Sequence, residues 1–162
     1  MKTKIFAFLD ELGIKYRFIE HPAVFTVAES IGKIEDKRPI KNLLLKEDKG
    51  DRLLLVIMDG KQKLDAKLLA KKLGIKKLQF AKPEVLLAAL GVEPGSVSLF
   101  CVLSPGSKNV EVIIDETLIT EPELGFHPNI NTATIFIPGA AFEKILQKTR
   151  HKYNILRLQS PI

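Results

Sequence analysis

The chain has 162 residues, 46% of them hydrophobic and 27% charged, the balance of one globular domain that buries roughly 70% of its unfolded surface and needs no disulfide or metal for a core. Its 25 Lys plus Arg outweigh 19 Asp plus Glu, and the net charge of +6 suits a polyanionic partner such as RNA without requiring one. A single cysteine, Cys101, excludes an intrachain disulfide and a cysteine zinc set; no apolar run nears the roughly 20 residues of a membrane span, the acid-bearing N-terminus does not resemble a signal peptide, and a cytoplasmic protein is expected.

Ile5, Phe6, Leu9 and Leu12 recur at helical spacing, with Gly13 placed to cap the helix. Residues 15–20 alternate like a half-buried strand. His21-Pro22 opens a loop, and Thr26 with Glu29 has the spacing of a capping box, which predicts a short helix. Residues 41–46 and 53–58 predict two strands joined by a polar turn. Leu64, Leu68, Leu69 and Leu73 share one helical face that Gly74 ends, and residues 83–90 predict another helix between Pro83 and Gly91. Beyond the Pro94-Gly95-Ser96 turn, residues 97–103 predict a buried strand in which Cys101 is an ordinary small hydrophobe. Residues 110–115 and 132–137 predict strands. Phe142, Ile145 and Leu146 mark a final helix, and residues 153–158 a last strand. About seven strands and four or five helices in mixed order predict one α/β (α+β) domain over residues 1–162, a mixed curved sheet with helices against it.

Hydrolase signatures are scarce. The chain has no Gly-x-Ser-x-Gly elbow, no zinc helix, no phosphate-binding P-loop and no dinucleotide fingerprint. Its three histidines, His21, His127 and His151, are too scattered along the chain to show metal-ligand spacing. Two polar clusters stand out. Lys41 and Asn42 open an apolar strand, where an ammonium and an amide at the sheet's rim can hold a phosphate or a carbonyl oxygen; as bare pattern they equally describe solvated strand-end residues. The stretch from His127 through Asn131 and Thr132 is a Pro- and Asn-rich loop able to present His127 to a ligand, or simply an exposed turn. Lys63, Lys67 and Lys71, four apart, suit phosphate contacts along one helix face, or the solvated side of an amphipathic helix.

Together these pieces resemble a known family. His21-Pro22-x-x-x-Thr26, Lys41-Asn42-Leu43, Leu64-Asp65-x-Lys67-x-Leu69, Pro94-Gly95-Ser96-Val97 and His127-Pro128-x-x-Asn131-Thr132-Ala133-Thr134 follow one another in the order of the YbaK/aminoacyl-tRNA editing domain family. The branch they resemble is that of free-standing prolyl-tRNA editing proteins, which deacylate alanyl-tRNA(Pro). The resemblance covers roughly residues 4 to 150. It implies a mixed, barrel-like sheet surrounded by helices, hydrolysis of the aminoacyl ester without metal or organic cofactor, and tRNA as substrate. Prolyl-tRNA synthetase is a further partner to consider. The resemblance carries an essential lysine onto Lys41 with Asn42 beside it, a pocket histidine onto His127, and the start of a substrate loop onto Gly95 and Ser96. Val24, Phe25, Thr26, Asn131 and Thr132 are further candidates for the substrate pocket.

One departure is visible. The family loop reads Gly-x-x-x-Pro, whereas Leu99 stands at the proline position here; leucine neither locks φ nor removes a donor, which predicts a looser wall. An aminoacyl ester is already activated, so a site need only hold it, polarise it and place a water. Selectivity follows a double-sieve logic, because a proline-shaped synthetase site rejects smaller alanine by only about 1–3 kcal/mol. The residues themselves leave open a deacylase for cysteine, serine or threonine esters, and a non-catalytic tRNA-binding module.

Overall fold

The computed structural model describes residues 2–22, 39–129 and 132–158. Its spine is a hairpin. β2 (Ile40–Glu47) and β3 (Leu53–Asp59) pair antiparallel from Ile40↔Asp59 to Lys46↔Leu53. The polar turn between them closes through Glu47 N to Arg52 O, 2.9 Å. β3 then pairs parallel with β5 (Glu111–Asp115), and β5 parallel with β8 (Tyr153–Leu156). The short edge strand β4 (Leu78–Phe80) lies on the other side of β2, giving the order β4-β2-β3-β5-β8. A second sheet of three antiparallel strands has β7 (Ala133–Ile137) between β1 (Arg17–Glu20) and β6 (Leu124–Phe126). The two sheets are not closed into a barrel, which corrects that part of the expectation; the mixed α/β character holds.

The helices obey their local signals. α1 (Lys2–Glu11) is followed by Gly13 at φ 68°. α2 (Ala66–Leu73) begins where the Asp65 carboxylate accepts Leu68 N–H at 2.9 Å and stops at left-handed Gly74. α3 (Pro83–Leu90) runs from Pro83 to Gly91, as the sequence predicts. α4 (Ala141–Thr149) buries Phe142, Ile145 and Leu146. The helix expected at Thr26 lies outside the described residues.

Residues 97–103 are not a strand. They form a 3-10 helix, Leu99–Leu103, capped by Ser98. Leu99, Phe100, Cys101 and Val102 are all buried, and an apolar run buried on every side has no alternation to tell helix from strand. Strands β4 and β6 are the reverse case. Each has only three residues, and β6 carries a central glycine because a Cβ at Gly125 would come within 2.8 Å of Thr134 Cγ2.

Two cores follow from the strand alternation. Leu44, Leu55, Ile57, Val112 and Ile114 face the three-stranded sheet, α1, α3, the 3-10 helix and α4, while Leu45, Leu54, Val56, Met58 and Ile113 face α2.

Candidate functional site

The ends of the small sheet bring two distant histidines together. β1 pairs with β7 through Glu20↔Ala133, and His21 N–H extends that ladder to Thr132 O at 3.0 Å. β6 pairs with β7 through Phe126↔Ile135, so His127 leaves the sheet beside the same strand. The rings of His21 and His127 lie 6.0 Å apart. Along the chain the histidines are scattered, and the one local feature the two share is the proline that follows each, Pro22 and Pro128.

Their partners define their tautomers. Pro22 O lies 2.8 Å from His21 Nδ1 and, being a carbonyl, accepts its proton; the Thr134 hydroxyl then donates to Nε2 at 2.7 Å. His127 Nδ1 donates to Ala133 O at 3.1 Å. In the neutral ring its Nε2 therefore carries a lone pair, and no described residue donates to it. Burial pushes the His127 pKa down from the ordinary 6.5; the bond to Ala133 pulls against this and the neighbouring His21 adds to it. The result is a neutral imidazole with one nitrogen available as a base, which sequence reading did not find.

The loop after β6 is held from below by the 3-10 helix. Gly95, at φ 94°, sits in a turn over residues 93–96 closed by Ser96 N to Glu93 O at 3.1 Å, with Pro94 before it. Two residues on, buried Ser98 accepts Phe100 N–H at 3.0 Å and donates its hydroxyl to His127 O at 2.5 Å. Cys101 donates to Asn129 Oδ1 at 3.3 Å while its sulfur accepts Ser98 N–H. Burial pushes the Cys101 thiol up to about 11, so it is a protonated tether rather than a nucleophile. Asn129 itself is left-handed, φ 64°. Ser98 and Cys101 thus tie the Gly95 segment to the His127 loop, a link no spacing rule announces. Leu99, expected to form a soft wall, is fully buried in the larger core. Its side chain is packed into that core rather than standing free as a wall, and Ser98 fixes the backbone there.

Lys41 and Asn42 are separated by the strand they share. Their ladder runs without a bulge from residue 40 to 46, so Asn42 lies on the face of Leu44, toward the small sheet, and Lys41 on the face of Leu43 and Leu45, toward α2. The Lys41 ammonium donates to Gln62 O at 2.7 Å. Among the described residues two buried side-chain polar atoms have no hydrogen-bond partner, the acceptor Asn42 Oδ1 and the donor Asn129 Nδ2. Such orphans cost about 1–3 kcal/mol each unless something satisfies them.

The remaining candidates separate clearly. Thr132 is exposed in the turn just before β7. Val24, Phe25, Thr26 and Asn131 lie outside the described residues. The lysine stripe is shorter than expected: Lys67 and Lys71 are exposed on α2, but Lys63 precedes the Asp65 cap and lies outside the helix. His151 is structural, its Nε2 donating to Ser107 O at 2.9 Å while Thr149 bonds Nδ1 at 2.8 Å.

Comparison with known proteins adds the family. The model of the aminoacyl-tRNA editing domain matches residues 21–145. The prolyl-tRNA editing protein ProX of Acetoanaerobium sticklandii is 37% identical over 160 residues, covering 97% of each chain. The prolyl-tRNA synthetase associated domain-containing protein 1 of Danio rerio is 31% identical over 160 residues, covering 96% of this chain and 86% of its own. A crystal structure of a proposed trans-editing enzyme for prolyl tRNA synthetase superposes with a TM-score of 0.70 at 21% identity, over 98% of this chain and 96% of that one, a likeness of fold.

Proposed function

The chain belongs to the aminoacyl-tRNA editing domain family, and from that premise we propose that it is a free-standing deacylase of mischarged tRNA(Pro) whose preferred substrate carries alanine. The observation that carries the chemistry is His127, held neutral by burial with Nε2 unpartnered among the described residues. In this reading Nε2 accepts a proton from water as the water attacks the ester carbonyl carbon. The tetrahedral intermediate then collapses, the ribose oxygen leaves and takes up a proton, and the free amino acid departs.

The two orphaned amides suit the ends of such a substrate. Asn42 Oδ1 offers an acceptor to the α-ammonium, and Asn129 Nδ2 offers a donor to the carbonyl oxygen as it gains charge. Lys41, on the other side of β2, serves as a compact cation for a phosphate of the terminal nucleotides. Gly95 and Ser96 form the turn that leads into the Ser98 tether, and their backbone groups contact the substrate.

Release of labelled amino acid from tRNA(Pro) charged with alanine, cysteine, serine or proline tests the reading. Alanine is expected to leave fastest and proline far more slowly, with Lys41→Ala and His127→Ala each losing most of the rate. Equal cleavage of the proline ester would overturn the proofreading role. Faster release of cysteine or serine would replace the amino acid, and binding without turnover would replace the enzyme by a binding module.

A further inference from the structure

The excess positive charge is concentrated in one place. Residues 61–82 contain eight lysines and a single acid, Asp65, more positive charge than the +6 of the whole chain. All eight lysines are exposed. In their midst Phe80, at the end of edge strand β4, is 68% exposed, although an aromatic ring of that size is ordinarily covered.

The register states where this ring points. Phe80 is directly opposite Leu45 on β2, so the two share a face, and Leu43 and Lys41 continue along it. Four residues at ~3.3 Å each, and one strand spacing of ~4.8 Å, put the Phe80 backbone about 14 Å from that of Lys41. That span equals about four nucleotides at the ~3.4 Å rise of a stacked strand, fewer if the strand is drawn out.

We propose that Phe80 is a stacking platform for an unpaired base near the 3′ end of the tRNA, a few nucleotides before the one that carries the amino acid, with the lysines of residues 61–82 neutralising the phosphates on either side. The assignment rests on the tRNA substrate proposed above. An exposed ring set among cations is the recurring design of single-strand binding surfaces, because every base has a π-face and every step a phosphate. Charge favours this occupant: a second copy of the chain brought against the β4 edge would set the same eight lysines against their like.

The chain contains no tryptophan, so Phe80→Trp introduces a unique fluorophore. A short unstructured oligoribonucleotide ending in CCA is expected to quench that indole saturably, and added salt to reverse the quenching. Phe80→Ala is expected to weaken binding of uncharged tRNA(Pro) roughly five- to twentyfold, and Phe80→Tyr to restore it. In deacylation the loss falls on KM rather than kcat. An indole that is not quenched, or a Phe80→Ala protein that binds tRNA like the wild type, overturns the proposal. A Phe80→Ala protein that turns from dimer to monomer in sedimentation with its tRNA affinity intact also overturns it, and assigns the edge to a second copy. Quenching and tRNA binding are read without any ester, so a protein that shows both but deacylates nothing refutes the enzymatic reading and leaves the platform standing.

Discussion

Replacing Ser98 by alanine removes one oxygen atom and breaks two connections. The hydroxyl caps the 3-10 helix by accepting Phe100 N–H at 3.0 Å, and it holds the His127 loop by donating to His127 O at 2.5 Å. Ser98 is fully buried, so water does not replace the cap bond; losing an N-cap hydroxyl costs about 1 kcal/mol. The stranded His127 carbonyl adds about another 1 kcal/mol, the low end of the usual range because it is only partly buried. The sum, about 2 kcal/mol, corresponds to a fall in Tm of about 4–8 °C for a chain of this size. In urea the midpoint drops while the m-value stays constant, since the folded state keeps its surface. Ser96→Ala is the control: that side chain makes no hydrogen bond to a described residue, and its replacement stays within about 0.5 kcal/mol of wild type. Because the broken bond is the one that positions His127, kcat/KM for the mischarged tRNA falls roughly ten- to a hundredfold beyond any loss of folded protein. A Ser98→Ala protein as stable as the Ser96→Ala control would refute the tether, and normal kcat/KM in a destabilised protein would detach it from catalysis.

Deacylation is expected to rise with pH through a midpoint below 6.5, because burial lowers the His127 pKa and only the neutral ring has a basic Nε2; a kcat/KM profile checks this, and His127→Asn abolishes the limb. His151 is likewise lowered, chiefly by burial, so the stability lent by both histidines is full above about 6.5 and drains as pH falls through their folded values, which urea midpoints at about pH 7.5 and about pH 5 will show. Arg52 bonds both oxygens of Glu111, at 2.8 and 2.9 Å, and holds its pKa down, so Arg52→Met costs about 1–2 kcal/mol after allowing for the exposure of the guanidinium. That contribution is present above the ordinary Glu value and is lost as pH falls through the lowered one, so in acid the variant and wild type converge. Replacing Lys63, Lys67 and Lys71 together by alanine is expected to reduce the slope of log K against log salt for tRNA binding by about two to three; an unchanged slope leaves them as a solvated face.

Much of this molecule is decided locally and is therefore legible in the chain. Pro83 and Gly91 bound α3, Asp65 and Gly74 bound α2, and the two apolar runs around a polar turn make the β2–β3 hairpin, because capping, φ preference and alternation act within a few residues. The order of the family motifs is legible in the same way. The separation of Lys41 from Asn42 was also available, since consecutive strand residues face opposite sides. What the sequence does not contain is which segments become neighbours. Residues 97–103 carry the composition of a strand and become a 3-10 helix because they are enclosed on all sides and Ser98 finds His127, 29 positions away. β4 and β6 are too short to show any period and exist only because β2 and β7 offer them a ladder. The joining of β1 to β7 in the small sheet and the meeting of His21 with His127 both depend on pairing across more than a hundred residues of chain. Such contacts are set by burial and hydrogen-bond satisfaction of the whole fold, and no local pattern encodes them.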